Sequence, residues 1–192
     1  MIISLSGKKR SGKGTIAEHL VQKGWHEVSW ARPLKEIIGR DLFGLTDAQM
    51  YGNAEDKEAI IPEWNMSARE ILQKVGTDMF RRQICDDFWV RIGVQKIKKI
   101  IVKSPGLNIV LSDTRFPNEA QAIRSLGGYL IWVHRDGNPH ANDRHPSETA
   151  LDDFKGWDKV VMAPEGKLDS LREQVDWFIQ NSSRLFDVTG AY

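Results

Sequence analysis

Short apolar runs alternate along this chain with segments in which apolar residues recur every three or four positions. A short apolar run between polar residues is typical of a buried strand, and a period of three to four indicates a helix with one buried face. The runs Ile2–Leu5, Leu107–Leu111 and Tyr129–Val133 predict buried strands, and residues 27–30 and 160–162 predict shorter ones. Strands separated by helical segments indicate an α/β fold in which helices flank a mostly parallel five-stranded sheet, because parallel strands need crossover connections.

Helices follow from the same periodicity and from local start signals. We expect them at residues 13–23, from Pro33 onward, from Ser67 onward, around residues 90–101, at 118–126 and at 168–179. Ser67 with Glu70 three residues later has the sequence of a capping box, which marks a helix start. Residues 44–66 show no clear period and predict loops with short helices, and the polar residues 135–150 predict a loop.

Composition narrows the functional classes. The 192 residues fit one domain, and 27 basic against 26 acidic residues leave a net charge of +1, which argues against a polymeric nucleic acid as partner. The single Cys85 excludes a disulfide framework and a multi-cysteine zinc site. No apolar run is long enough to cross a bilayer, and the first residues lack the basic-then-apolar order of a signal peptide. We therefore expect a cytoplasmic protein without a membrane partner.

The first predicted strand leads into a glycine-rich segment with the strongest chemical signal in the sequence. Residues 7–13 read Gly-x-x-x-x-Gly-Lys, and a helix is predicted directly afterwards. This arrangement predicts a phosphate-binding loop, because glycines let successive backbone N–H groups turn inward around an anion and the helix adds its positive end. Lys13 is placed to reach the β- and γ-phosphates of a nucleotide. The expected phosphate-binding residues are Gly7, Arg10, Ser11, Gly12, Lys13, Gly14 and Thr15.

Two features bear on the metal ion that accompanies such loops. Gly14 stands where the full motif has Ser or Thr, so a direct contact between a loop hydroxyl and Mg²⁺ is left open, and Thr15 could bind an α- or β-phosphate instead. Asp113 follows the buried strand 107–111, at the edge of the sheet where open α/β folds place their sites. We expect Asp113 to hold Mg²⁺ through water, and a helix-cap or turn aspartate is the alternative.

Six short stretches together resemble one known family, the bacteriophage-type deoxynucleoside monophosphate kinases of the P-loop nucleoside monophosphate kinase superfamily. The stretches are residues 5–13, 31–35, 69–78, 87–90, 112–115 and 143–148, and their order and spacing carry the resemblance. It implies the three-layer P-loop kinase fold, with a helical acceptor-binding insertion and a lid. It also implies phosphoryl transfer from Mg²⁺-bound ATP to a deoxynucleoside 5′-monophosphate, and a phage or prophage source would place the protein in the host cytoplasm.

The resemblance assigns roles to residues outside the phosphate loop. The expected acceptor-binding residues are Arg32, Lys35, Arg69, Gln73, Thr77, Asp78 and Trp89. Cations suit the acceptor phosphate, the polar set could contact base or sugar, and Trp89 could stack on the base or simply belong to the core. The expected catalytic residues are Lys13, Arg115, Arg135 and Arg144, with the last two belonging to a lid that closes over ATP.

The expected division of the single domain, 1–192, has three parts. The core comprises about residues 1–31, 104–134 and 156–192, the acceptor-binding helical region about 32–103, and the lid about 135–150. Another small P-loop kinase, acting on dephospho-coenzyme A or on phosphomevalonate, and a non-catalytic nucleotide-binding regulator are the alternative functions. The accepted bases, discrimination between ribose and deoxyribose, and a homodimer are left open.

Overall fold

A five-stranded parallel sheet forms the centre of the fold in the computed structural model, which describes residues 1–140 and 143–189, with side chains up to residue 182. Its strands are β1 (Ile2–Ser6), β2 (His26–Val28), β5 (Ile109–Leu111), β6 (Tyr129–Arg135) and β7 (Lys159–Ala163). They lie in the order β2-β5-β1-β6-β7, and every neighbouring pair is parallel. The expected α/β fold is confirmed, with β1 at the centre of the sheet, where all five of its residues are buried.

The helices match the expected segments with shifts at their ends. The α-helices are α1 (Lys13–Gln22), α2 (Asp47–Tyr51), α3 (Ala54–Glu58), α4 (Ala68–Gln73), α5 (Phe88–Lys103), α6 (Pro117–Ser125), α7 (Pro146–Thr149) and α8 (Leu168–Thr189). Two further segments, Leu34–Leu42 and Lys74–Ile84, are π-helical. The sequence predicts helices that begin near Pro33 and Ser67, but neither the extension of the second one past Gly76 nor the π form of the two segments, which depends on the packing around them.

Three differences from the expected elements have local causes. Residues 60–67 form a two-stranded antiparallel pair, β3 (Ile60–Ile61) with β4 (Met66–Ser67), where only loops and short helices were predicted. Strands of two residues are too short to show alternation, so sequence patterning misses them. Residues 135–150 were predicted as a loop but contain α7, and the last helix runs well beyond residue 179.

The chain divides into two compact units. One unit comprises residues 1–28 and 100 onward, and its apolar core is built around Ile3, Leu5 and Ile131 of the sheet, covered by Leu20 of α1 and Val175 of α8. No helix among the described residues is both long and apolar enough to cross a membrane.

The other unit is Ser29–Lys99, and it is mainly helical. Leu34, Val75 and Trp89 form one apolar cluster, and a second cluster lies around Met50 and Ile71. The expected capping box at Ser67 is confirmed: the Glu70 backbone N–H donates to Ser67 Oγ at 3.2 Å, and the Ser67 N–H donates to the Glu70 carboxylate at 2.8 Å. This cap fixes the start of α4 and with it the position of Arg69 in the first turn.

A charged cluster joins α1 to α8 within the sheet-containing unit. Asp176 accepts from Lys23 Nζ at 2.6 Å and lies 3.0 Å from His19 Nε2. Burial raises the pKa of the Asp176 carboxyl, but hydrogen bonds from Lys23 and His19 outweigh that effect, so its pKa lies below the ordinary value of 3.8. The ionised carboxylate is therefore favoured in the folded protein.

We expect Asp176→Asn to lower the free energy of unfolding by about 1 kcal/mol at neutral pH. Because the folded pKa lies below the unfolded one, the contribution is complete above the unfolded pKa and disappears as pH falls through the folded pKa. Urea unfolding of both proteins at neutral pH and at stepwise lower pH checks this. A difference between the two proteins that stays constant below pH 3.8 would contradict it.

Candidate functional site

The turn after β1 has the backbone conformation of an anion-binding loop. Gly7, Arg10 and Gly12 have positive φ angles of 139°, 59° and 106°. The Ser11 N–H donates to the Lys8 carbonyl at 3.2 Å, and α1 begins at Lys13 directly after Gly12. Alternation of left-handed and ordinary residues turns backbone N–H groups toward a common centre, and the helix N-terminus adds partial positive charge there. The loop can therefore hold a phosphate group.

Lys13 lies under this loop and is held by it. Its side chain is buried, with 8% of the residue exposed. Lys13 Nζ donates to the carbonyl oxygens of Gly7 and Lys8, both at 2.7 Å, and lies 3.4 Å from Ser11 Oγ. The ammonium group is thus fixed at the loop before any ligand arrives, which reduces the entropy lost when it contacts a phosphate.

Two positions of the loop favour glycine for different reasons. A Cβ atom on Gly7 would lie 2.2 Å from the Val133 carbonyl oxygen, a backbone atom that has little room to move. A Cβ atom on Gly12 would lie 2.5 Å from Leu171 Cδ1, the end of a flexible side chain, so the positive φ of 106° is the stronger reason there. A Cβ on Gly14 would meet nothing within 4 Å, so packing does not require glycine at this position.

Arg115 is brought to the phosphate loop by a residue that sequence reasoning did not assign. Its Nη1 donates to Glu148 Oε1 at 2.6 Å and lies 3.5 Å from the Gly7 carbonyl oxygen. The other carboxylate oxygen of Glu148 accepts from the Lys9 backbone N–H at 2.9 Å. Glu148 ends the 143–148 stretch that carries part of the family resemblance, and this is the only sequence signal that pointed to it.

Several residues that follow β6 make further hydrogen bonds with the phosphate loop. Lys8 Nζ donates to the Glu148 carbonyl at 2.7 Å and to Asp152 at 2.5 Å, while Asn138 Nδ2 donates to the Lys9 carbonyl at 2.8 Å. Arg135, the last residue of β6, pairs with Glu165 and lies 3.4 Å from the Arg10 carbonyl. The predicted lid also includes residues 141 and 142, which lie outside the described residues.

The remaining predicted residues of this unit lie at the carboxyl ends of the strands or in the loop region. Asp113 is half-buried two residues beyond β5, and Thr114 beside it accepts from Ser6 Oγ at 2.7 Å through its carbonyl. Thr15 is half-buried in the first turn of α1, whereas Arg144 is exposed. Among the described residues no cluster of three or more His, Cys, Asp and Glu could hold a metal ion by itself.

A cavity of about 230 Å³ adjoins the phosphate loop. Lys8 and Ser11 line it from the loop, and Trp132 to Asn138 line it from the end of β6 and the residues that follow. Its wall includes an indole, the cations Lys8 and Arg135, the carboxylate of Asp136 and the amide of Asn138, so an aromatic ring lies beside charged groups of both signs.

The predicted acceptor-binding cations lie in the helical unit. Arg69 is in the first turn of α4, with Nε 3.5 Å from a Glu58 carboxylate oxygen. Arg32 lies 3.9 Å from Glu36, and Lys35 Nζ lies 4.5 Å from the centre of the Tyr51 ring. The helix Leu34–Leu42 packs against α4, so these cations lie on neighbouring helices.

The polar and aromatic members of the acceptor set have mixed surroundings. Gln73 and Asp78 are half-buried, Thr77 is buried, and Asp78 pairs with Arg82 at 3.1 Å. Trp89 is buried, and its indole N–H donates to the Gly76 carbonyl at 2.9 Å. Its ring also packs on Phe80 and Phe88, with ring centres 5.1 and 4.8 Å away. These contacts support the packing role of Trp89 more than stacking on a base, which stays a prediction.

We expect Gly7→Ala to distort the phosphate loop. The added Cβ clashes with the Val133 carbonyl, and alanine disfavours the positive φ, so the free energy of unfolding should fall by about 3 kcal/mol. Gly14→Ala is the matched control, because the space around it is open and alanine favours a helix by up to about 1 kcal/mol. Denaturant unfolding of the two variants checks this, and equal stability of both would contradict it.

Comparison with known proteins agrees with this geometry. The sequence profile of the family described as deoxynucleotide monophosphate kinase matches residues 45–175. A protein of Acanthamoeba polyphaga mimivirus, provisionally named deoxynucleotide monophosphate kinase, is 35% identical over 96% of this chain and 99% of its own. The deoxynucleotide monophosphate kinase of Enterobacteria phage T4 is 28% identical over 73% of this chain. That match covers 53% of the T4 protein, so the chain spans about half its length.

The structure resembles that of TT1252 from Thermus thermophilus, with a TM-score of 0.51 and 16% identity over 95% of this chain and 97% of that one, which is a likeness of fold alone. The sequence matches go further, since one of them extends over nearly the whole of both chains at 35% identity. The chain therefore belongs to the deoxynucleotide monophosphate kinase family.

Proposed function

We propose that this protein transfers the γ-phosphoryl group of ATP to a deoxynucleoside 5′-monophosphate, which yields ADP and the deoxynucleoside diphosphate. The observation that carries the proposal is a preformed phosphate loop, with buried Lys13 beneath it, in a chain of this family. Family membership favours a deoxynucleotide acceptor over dephospho-coenzyme A or phosphomevalonate, and the two sets of cations favour a transferase over a regulator that binds only one nucleotide.

The donor polyphosphate would bind at the loop Gly7–Thr15. Backbone N–H groups and the N-terminus of α1 supply donors, and Lys13 Nζ exchanges a carbonyl partner for phosphate oxygens. A charge-assisted hydrogen bond to phosphate is stronger than one to a neutral carbonyl, so this exchange is favourable. Arg10, Ser11, Gly12 and Gly14 belong to the same proposed contact surface.

Mg²⁺ is the metal whose chemistry suits this site. It prefers oxygen ligands, keeps several waters, and in kinases needs only one or two carboxylates beside the phosphates. Asp113 offers one partly exposed carboxylate at the carboxyl end of β5, which fits an ion held largely by water and ATP. Bound there, Mg²⁺ would neutralise charge on the phosphate oxygens. The chain's own part is to orient the ion's waters through Asp113.

The acceptor phosphate would be held by Arg32, Lys35 and Arg69. The separation of Arg32 from Glu36, 3.9 Å, is at the limit of an ion pair, so little is lost when Arg32 turns to a phosphate. Arg69 has its position set by the Ser67 cap and by Glu58. Gln73, Thr77 and Asp78 follow along the same run of helix and are the proposed contacts to base or sugar.

Arg115, Arg135 and Arg144 are the proposed cations that stabilise the transferring group. The acceptor oxygen is already ionised, so the reaction needs no Ser, Cys or His nucleophile. It needs two anions aligned in line and compensation of the charge that spreads over the moving phosphoryl group. Arg115 meets this requirement best among the three, because the Glu148 carboxylate that accepts from its Nη1 at 2.6 Å also accepts from the Lys9 N–H of the phosphate loop.

We expect the purified protein with Mg²⁺ and ATP to form ADP and a diphosphate from deoxynucleoside monophosphates, measured by chromatography across all common ribo- and deoxynucleoside monophosphates. Lys13→Ala should lower kcat at least 100-fold, because it removes a buried cation from the transferring phosphates. Lys98→Ala, at an exposed position of α5, is the charge-matched control and should leave kcat unchanged. Equal turnover of the two variants would refute the role of the phosphate loop.

We expect Arg69→Ala to raise the KM for the deoxynucleoside monophosphate about 10- to 100-fold while the Kd of ATP stays within about twofold, because a charged hydrogen bond contributes about 1.5 to 3 kcal/mol. Arg91→Ala removes an exposed arginine of the same unit and serves as the control. Steady-state kinetics with the acceptor varied, together with calorimetric titration of ATP, separates the two effects. An unchanged KM for the acceptor would place its phosphate elsewhere.

A further inference from the structure

Glu148 is a buried carboxylate beside the phosphate loop, and its two oxygens have different partners. Only 2% of its side chain is exposed. Oε2 accepts from the backbone N–H of Lys9 at 2.9 Å, and Oε1 accepts from Arg115 Nη1 at 2.6 Å. One side chain thus connects the backbone of the phosphate loop to the arginine proposed to stabilise the transferring group.

The position of this carboxylate is determined by its surroundings. Glu148 lies on the short helix α7, whose first turn is capped by His145: Nδ1 accepts from the Ser147 N–H at 3.2 Å. The Glu148 carbonyl accepts from Lys8 Nζ at 2.7 Å, so backbone and side chain are both tied to the phosphate loop. A residue held at both ends in this way is a rigid support.

The contact also leaves Arg115 able to bind a ligand. In the part of the chain that the structure describes, only Nη1 of its guanidinium makes hydrogen bonds, to Glu148 and weakly to the Gly7 carbonyl. Nε and Nη2 therefore remain for phosphate oxygens. Since the guanidinium is planar, fixing one nitrogen against a carboxylate sets the direction in which the others point.

A buried carboxylate costs desolvation energy, and an apolar residue would fill the same space at less cost. The cost is offset here by a charged partner and a backbone donor, both of which belong to the site. The buried charge therefore acts most directly by fixing the positions of the Arg115 guanidinium and of the Lys9 N–H.

We propose that Glu148 is a positioning residue for phosphoryl transfer, which holds Arg115 at the phosphate loop with its free N–H groups toward the phosphates. The proposal rests on the proposed function, in which Arg115 stabilises the transferring group. It places α7 as a fixed support of the loop, within the range of residues 135–150 that the sequence assigns to a lid. If the carboxylate instead only occupied the loop until ATP displaced it, removal of its charge would tighten ATP binding and leave kcat unchanged.

The test is a double-mutant cycle on the full chain with Glu148→Gln, Arg115→Ala and the double variant, read as kcat, the KM for ATP and the melting temperature. Glu148→Gln should lower kcat about 10- to 100-fold, since misplacement of a catalytic group costs this much, while the KM for ATP changes less than about threefold. In the Arg115→Ala background the same substitution should change kcat less than about threefold, because the residue through which it acts is gone.

Asp158→Asn is the matched control. Its two carboxylate oxygens also accept from an arginine and from a backbone N–H, namely Arg124 Nη1 at 2.8 Å and the Leu130 N–H at 2.7 Å, but neither partner belongs to the site, so kcat should not change. Glu148→Asp keeps the charge but withdraws the carboxylate by one methylene group. It should give the same non-additive pattern, and it replaces Glu148→Gln in the cycle if that variant does not fold.

Four results would overturn the proposal. An equal loss of kcat from Glu148→Gln with and without Arg115 would show a general structural effect. Tighter ATP binding with unchanged kcat would show that the carboxylate only occupies the loop. Unchanged kcat in Glu148→Gln with a large loss in Arg115→Ala would leave the proposed function standing and remove Glu148 from it, whereas unchanged kcat in Arg115→Ala would also remove the proposed role of Arg115.

Discussion

The phosphate loop gathers cations and backbone N–H groups around one point, and the protein must keep them ordered before any phosphate arrives. Like charges and unpaired donors at such a point would otherwise repel one another and expand the loop. The structure satisfies them from within: Lys13 donates to the loop's own carbonyls, and Arg115 and the Lys9 N–H share the Glu148 carboxylate. The rest of the unit serves to bring these partners together.

The parallel sheet makes this convergence possible. In a parallel sheet all strands end at the same edge, so the residues after β1, β5 and β6 meet there although they are far apart in the chain. β1 supplies the loop, β5 leads to Asp113 and Arg115, and β6 ends at Arg135. Ser4 and Ser6 of β1 bond to Thr114, which ties the segment after β5 to the central strand.

The strands and most helices of this protein are predictable, because burial repeats at a period that the sequence displays. The phosphate loop is predictable as well, since its backbone geometry requires glycine at fixed spacing and both Gly7 and Gly12 have positive φ. Other features escape prediction for physical reasons. The β3–β4 strands are too short to show an alternation of apolar and polar residues, and the π-helical form of Leu34–Leu42 depends on packing. A tryptophan such as Trp89 is identical in the sequence whether its ring is buried or stacks on a ligand.

The sequence by itself determined the fold class, the phosphate loop and a group of candidate cations. These features depend on local backbone geometry and on the spacing of apolar residues, both of which can be read from neighbouring residues in the chain. Only the tertiary structure decided which of these cations are held at the loop and by what. Glu148 and Arg115 are separated by 33 positions in the chain, and Glu148 and Lys9 by 139. Contacts over such separations depend on the packing of the whole sheet-containing unit, and no local pattern records them.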